Sequence, residues 1–261
     1  MLTGAGVSTD SGIPDYRGPD AVPRQPMTFQ KFVSSADNRR RYWARAHVGW
    51  ARMGHAEPNF IHHFLAERQD RLTGLITQNV DGLHEAAGSR EVVDLHGRID
   101  RVICLDCGDV SDRAALQERL EALNPGWSER EARLAPDGDV DLEDTDEYVV
   151  ADCTQCGGRL KPDVVFFGES VPKPKVAHCF DLVERAGREG AALVVLGSSL
   201  QVMSGLRFVR RAAKDGVEVV IVNRGPTRGD DLATVRIDDG IAQTLRRLMS
   251  ETAGEPRAQL N

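Results

Sequence analysis

Apolar residues gather in short, β-branched runs at 193–196 and 217–222, each bounded by glycine or polar residues. A run too short for a helix and apolar at successive positions predicts a central parallel strand buried on both faces. Leu75, Ile76 and Thr77 form a shorter candidate of the same kind. Between the longer runs the period changes: Leu206, Phe208, Val209, Ala212 and Ala213 recur at helical spacing over 206–215, completing a β-α-β unit. Similar helical patterns cover 30–53, 59–71 and 241–249. Strands alternating with helices predict an α/β fold, a doubly wound, Rossmann-like parallel sheet with ligands at the carboxyl ends of its strands.

The rhythm breaks over 104–158, which holds two Cys-x-x-Cys pairs, a helical stretch at 113–123 and an acidic segment at 137–147. The expected organisation is a discontinuous Rossmann-like unit, 1–103 plus 159–252 and including the helical stretch 30–53. A small module at 104–158 is inserted into it, and a polar tail follows at 253–261. The acidic segment is expected to be a solvated loop. Met1 and Leu2 run straight into a glycine-rich turn, whereas a first central strand normally takes about five residues. The expectation is a native start upstream of Met1.

A length of 261 residues suits one α/β unit carrying an insertion. The net charge of -7 and isoelectric point near 5.5 argue against direct nucleic-acid binding, which wants clustered cations. Basic peptides remain allowed partners. No apolar run approaches the roughly 20 residues of a membrane span, and no charged, apolar and cleavable leader opens the chain. A soluble, cytoplasmic protein is expected.

Five cysteines, four of them paired, suit a reducing compartment better than a disulfide framework. Cys104, Cys107, Cys153 and Cys156 supply four soft thiolates, each pair followed by glycine, as tetrahedral zinc requires. With every position filled by sulfur no place remains for water, so such a zinc is structural. The long linker leaves redox pairs open as a second reading, and Cys179 reads as an ordinary part-buried thiol.

The stretch from Gly4 to Gly12 offers small residues where a backbone must approach a pyrophosphate, although the next glycine after Gly6 is Gly12, outside the G-x-G-x-x-G spacing. By itself it is an ordinary glycine loop as readily as a phosphate cradle. Pro14, Asp15, Tyr16 and Arg17 follow, joining an acid, an aromatic ring and a guanidinium to a rigid turn. His96, in Leu95-His96-Gly97, is by type a surface or core histidine or a base working near neutrality. Its proximity in sequence to Gln78, Asn79, Val80 and Asp81 favours the base.

GAGVSTDSGIPDYRG at 4–18 resembles the sirtuin signature, and the likeness continues as TQNVDGLHEAAG at 77–88, LHG at 95–97, KPDVVFFGE at 161–169, GSSLQV at 197–202 and VNRGPTR at 222–228. YWAR at 42–45, CLDCG, NPGWS and APDGDV most resemble the class II branch, typified by the mitochondrial sirtuin four. The resemblance implies an enzyme that consumes NAD to remove acyl groups from protein lysines. The acyl oxygen attacks the nicotinamide ribose, and His96 then deprotonates that ribose so that it takes up the acyl group.

In that scheme Asn79 orients the ribose and a water, Asp81 bonds the nicotinamide carboxamide and Gln78 the ribose hydroxyls. Gly4, Ala5, Gly6, Thr9, Asp15 and Val80 are further cofactor-binding candidates, and Tyr16 and Arg17 belong to a flexible loop that in the family orders over NAD. Gly197, Ser198 and Ser199 meet phosphate or ribose, while Asn223, Arg224 and Gly225 hold the adenosine ribose with Ile241 beside adenine. For Ser198, Ser199 and Asn223 simple capping is the plainer alternative. The acyl-lysine peptide is expected as a strand between Val165, Phe167, Gly168 and Glu169 on one side and Leu200 and Val202 on the other. Tyr42 and Arg45, on one helix face, are candidates for binding an acidic acyl group, against the alternative of an ordinary amphipathic helix. Protein ADP-ribosyl transfer is the nearest alternative activity, and a non-catalytic NAD sensor or zinc-dependent interaction module the third.

Overall fold

The computed structural model describes residues 1–16, 26–130, 142 and 144–254, with backbone alone at 51, 52 and 252–254. Arg17, the APDGDV block and most of the acidic segment lie outside the described residues, as does the tail beyond 254. The first half contains β1 (Leu2–Thr3), α1 (Phe29–Ser34), α2 (Ala36–Met53), α3 (Phe60–Glu67), β2 (Leu75–Thr77), α4 (Leu83–Ala86), β3 (Val92–Asp94), β4 (Gly97–Cys104), β5 (Val110–Asp112) and α5 (Arg113–Leu123). The second half contains β6 (Leu160–Val164), α6 (Lys173–Arg188), β7 (Leu193–Leu196), α7 (Met203–Lys214), β8 (Val219–Val222), β9 (Val235–Ile237) and α8 (Ile241–Gly254).

Six strands form one parallel sheet in the order β3-β2-β1-β7-β8-β9. Leu2 pairs with Ile76 on one side and Val195 on the other, so the strand order reverses at β1/β7. At such a reversal the two following connections leave in opposite directions and a crevice opens beyond the strand ends. One sheet face, with Leu2, Ile76, Val195 and Ile221, packs on Cys179 and Val183 of α6 and on Leu206, Phe208 and Val209 of α7. The other, with Leu75, Leu196 and Val222, packs on Ile61 and Leu65 of α3 and on Ile241 and Leu245 of α8. Burial on both faces is why these strands read as unbroken apolar runs.

A second, antiparallel sheet, β5-β4-β6, carries the cysteine pairs. It crosses both expected edges of the insertion, since β4 begins at Gly97 and β6 ends at Val164. The helical stretch 30–53 breaks at Ser35, which is extended, and yields α1 and α2. Phe32, Trp43, Ala46 and Val48 of these helices share one apolar cluster with Leu116 and Leu120 of α5 and with Trp127 and Tyr148. The stretch expected with the Rossmann-like unit thus shares its core with the insertion. Among the described residues no helix is long and apolar enough to cross a membrane.

Candidate active site

A cleft of about 1070 Å³ opens at the switch point. Gly4, Ala5, Gly6, Thr9, Asp15 and Tyr16 line it from the turn after β1, Gln78, Asn79, Val80 and Asp81 from the end of β2, and His96 from the end of β3. Gly197, Ser198 and Ser199 follow β7, and Asn223, Arg224, Gly225 and Ile241 close the far end. Tyr42, Val165, Phe167, Gly168, Glu169, Leu200 and Val202 face the same space. Arg17 falls outside the described residues. Arg45 does not line the cleft; its Nε donates to the Leu142 carbonyl at 3.1 Å.

The glycines of the entrance hold two backbones together. Gly6 N donates to Gly197 O at 2.9 Å, and a Cβ on Gly6 would stand 2.9 Å from Gly197 Cα. This contact brings the turn after β1 against the turn after β7, leaving a narrow floor lined by main chain and small hydroxyls. Such a floor suits a dinucleotide's pyrophosphate and riboses, with Gln78 Nε2 donating to Ser198 Oγ across it at 2.8 Å. Asn223 Nδ2 donates to the carbonyls of Arg224 and Gly225, so the turn-capping role foreseen for it is present within the cleft wall.

His96 is held on both nitrogens. Nδ1 lies 2.8 Å from Gln78 O, and a carbonyl only accepts, so Nδ1 carries the proton and Nε2 presents its lone pair. Nε2 faces Ser204 Oγ at 2.7 Å. Burial pushes the imidazole pKa below its ordinary value, the Gln78 carbonyl opposes this, and the cations Lys175 and Arg207 add to it. The next residue, Gly97, has φ +81°, and a Cβ there would fall 2.0 Å from Asp163 O. Close approach of β6 thus demands glycine, and it lets Val165 N donate to His96 O at 2.7 Å.

Ser8, only 1% exposed, joins Asn79 and Asp81, two of the polar side chains that follow β2. It donates to Asp81 Oδ2 at 2.7 Å and accepts from Asn79 Nδ2 at 2.9 Å. Behind it the rings of His62 and His84 stand 4.9 Å apart, both buried. His62 Nδ1 accepts from Asn59 N, which leaves Nε2 protonated and directed at Ser8 Oγ at 3.5 Å. Burial pushes both pKa values down to about 4, with His63 a smaller cause at His62 and His62 a smaller cause at His84, where Asp81 opposes the shift.

In the second sheet the sulfurs of Cys104, Cys107, Cys153 and Cys156 all lie within 4.8 Å of one another. Cys104 to Cys156 is 3.6 Å and Cys107 to Cys153 is 3.8 Å. Four sulfurs at about 2.3 Å from a tetrahedral zinc are about 3.8 Å apart, so the tetrad fits that ion. Backbone N–H groups of Asp106 and Gln155 point at Cys104 and Cys153 Sγ at 3.4 Å, and Arg159 clamps Asp106 of the opposite knuckle through Nη2 at 2.5 Å.

The sequence matches the model of the Sir2 family over residues 4–204. The chain belongs to the Sir2 family. It is 54% identical to the NAD-dependent protein deacetylase 1 of Mycobacterium avium (strain 104), over 98% of this chain and 92% of that protein. It is 48% identical to the NAD-dependent protein lipoamidase sirtuin-4, mitochondrial, of Bos taurus, over 94% and 79%. A solved structure of Sir2 with a p53 peptide and NAD+ superposes with a TM-score of 0.76 at 31% identity, over 97% of this chain and 92% of that one.

Several polar groups of this sirtuin were not anticipated as site residues. Ser8 lies inside the glycine-rich signature and Ser204 opens α7, where a hydroxyl reads as helix capping. His62, His84 and Lys161 look like core or surface residues until the fold buries them behind the cleft wall, His62 facing Ser8 and Lys161 facing Glu169. Lys161 Nζ donates to Val164 O at 2.5 Å, Pro162 O at 3.1 Å and Glu169 Oε2 at 3.3 Å, and Glu169 in turn accepts from Phe166 N at 2.9 Å. The loop expected to receive the peptide is therefore strapped from beneath. Opposite it, Leu200 has φ +55° with its side chain sunk in the core, a strained backbone at the cleft wall.

Proposed function

We propose that this Sir2-family chain is an NAD-dependent protein-lysine deacylase. NAD supplies an electrophilic ribose carbon, and the products are nicotinamide, free lysine and O-acyl-ADP-ribose. The observation that carries the reading is the double anchoring of His96. Its ring is fixed by Gln78 at the end of β2, on the nicotinamide side, while its carbonyl is bonded by Val165, on the peptide side. The base therefore stands where the two substrates must meet.

Each of the chain's own groups has a part. His96 takes a proton at Nε2, which its fixed tautomer leaves unprotonated. Asp81 and Asn79, set by Ser8, address the carboxamide and ribose of the nicotinamide half, and Gln78 with Ser198 the ribose hydroxyls. Gly4, Ala5, Gly6, Thr9 and Ser199 cradle the phosphates, with Asn223, Arg224, Gly225 and Ile241 around the adenosine. Asp15, Tyr16 and Arg17 cover the reacting carbon from water. Acylated-lysine peptide lies between Val165 to Glu169 and Leu200 to Val202, pairing through main chain.

The same reading divides the chain into a parallel-sheet unit that binds NAD and a smaller unit of α1, α2, α5 and the antiparallel sheet, held by structural zinc. A reducing, cytoplasmic setting suits four metal-binding thiolates. The test is mass spectrometry of acyl-lysine peptides incubated with NAD. Nicotinamide release with acyl-ADP-ribose and bare lysine supports the reading, whereas ADP-ribose left on protein defeats it in favour of transfer.

A further inference from the structure

We propose that Ser204 is the proton-transfer partner of His96, so that the substrate hydroxyl reaches the base through the Ser204 hydroxyl. This rests on the deacylase reading and extends it to a residue of α7. The argument begins with the tautomer: Gln78 O fixes the proton on Nδ1, so Nε2 is an acceptor and the Ser204 O–H is the donor across 2.7 Å. Ser204 is 8% exposed and lines the cleft. Its single proton is committed to the imidazole, which leaves its oxygen lone pairs as acceptors toward the space where a ribose hydroxyl must lie. In the resting enzyme the lone pair of the base is already occupied, and no other described side chain bonds either partner.

The transfer balances without a co-reactant. The ribose O–H bond breaks as that proton bonds to Ser204 Oγ, while the original Ser204 proton passes to His96 Nε2. The ribose oxygen becomes the nucleophile toward the acyl carbon. The imidazolium, stabilised by Gln78 O, later returns its proton by the same route. The serine is regenerated and the charge never rests on it. Three groups face the ring and set its proton affinity: the Gln78 carbonyl at the end of β2 raises it, and Lys175 of α6 and Arg207 of α7 lower it. A hydroxyl that donates to the neutral ring lowers it further.

The decisive measurements compare wild type with Ser204→Ala, Ser204→Thr and Ser204→Cys. In the enzyme without NAD, imidazole nitrogen NMR should show Nε2 unprotonated and hydrogen-bonded, and Ser204→Ala should raise the His96 pKa. With acyl peptide and NAD, Ser204→Ala should lose acyl-ADP-ribose formation at least tenfold more than nicotinamide exchange. A proton inventory in mixed D2O should be curved for wild type and linear for Ser204→Ala. Should Ser204→Ala unfold, Thr retaining product formation and Cys losing it carries the same conclusion, and equal rates for the two overturn it. An unmoved pKa with product formation within twofold of wild type also overturns the relay. A wild-type enzyme that makes no acyl-ADP-ribose instead defeats the deacylase reading itself.

Discussion

Ser8 and Asp81 are joined by a 2.7 Å hydrogen bond in which the serine donates, and the same oxygen accepts from Asn79 at 2.9 Å. One buried hydroxyl therefore fixes both a carboxylate and a carboxamide in the cleft wall, the two groups proposed to address nicotinamide and its ribose. Ser8→Ala leaves Asp81 Oδ2 and the Asn79 amide without this partner. Hydrogen bonds to charged groups are worth about 1.5–3 kcal/mol, which converts to roughly 10- to 100-fold in rate. Nicotinamide exchange should fall by that factor with the melting temperature nearly unchanged. An exchange rate within twofold of wild type rules out the aiming role.

Lys161 fixes the loop proposed to receive the peptide, through two carbonyls and Glu169. Lys161→Met removes all three donations and leaves the Glu169 carboxylate with only the Phe166 N–H. Breaking one partner of a largely buried pair costs about 3–5 kcal/mol of stability. The loop being the part released, KM for acyl peptide should rise more than KM for NAD, and equal changes in both count against this assignment.

His62 and His84, buried side by side, are pushed by burial to pKa values of about 4 from an ordinary 6.5. The folded state keeps both rings neutral, while the unfolded chain protonates them on falling through about pH 6.5. Their contribution is therefore complete above pH 6.5 and is lost as the pH drops toward 4. Two protons give a slope of at most about 2.7 kcal/mol per pH unit in that window. Denaturant melts at stepped pH should show this loss, and a His62→Gln, His84→Gln double variant should flatten it. A variant with the wild-type slope would show that other groups drive the dependence.

How much of this was legible in the sequence depends on what each residue packs against. β2, β7, the core of β8, α5 and α7 were visible because their apolar faces are continuous or strictly periodic. β3 and β9 are three residues each at the sheet edges, too short to show a pattern. β4 alternates buried and exposed positions but carries Arg98, Asp100 and Arg101 on its open side, which masked it. α6 went unassigned although Val176, Cys179, Val183 and Ala186 recur at helical spacing; its Pro174 sits in the first turn, where the helix tolerates proline. The cysteines and His96 were singled out by type and spacing, and the structure gathers the four sulfurs and sets His96 in the cleft wall. Ser8, Ser204 and the histidine pair were not singled out, since their roles arise from contacts between distant segments.

The cysteine tetrad makes a prediction about which part of the fold depends on metal. Elemental analysis of purified protein should give one zinc per chain, and a chelator strong enough to remove it should expose amides around 104–108 and 153–158 to exchange first. Zinc binding in small modules is worth about 10–16 kcal/mol, far more than β5 and its knuckles can replace. Protection in β1, β2, β7 and β8, which the six-stranded sheet and its two helical layers support, should outlast it. Uniform loss of protection, or none, would separate the tetrad from this structural role.

Acyl preference is the last point on which geometry speaks. Tyr42 does face the cleft, within an aromatic cluster whose ring centroids lie 5.3 Å from Phe32 and 5.1 Å from Phe166. Arg45, one turn further along α2, is absent from the cleft wall and donates to Leu142 O. A guanidinium held there stands outside the cleft wall that a succinyl or glutaryl group would reach. Arg45→Ala should therefore change turnover of acetyl, succinyl and glutaryl peptides by the same factor, their ratios staying within about twofold. A loss confined to the acidic acyl groups would mean that the side chain leaves Leu142 for the substrate, and would restore the pair with Tyr42 as a carboxylate clamp.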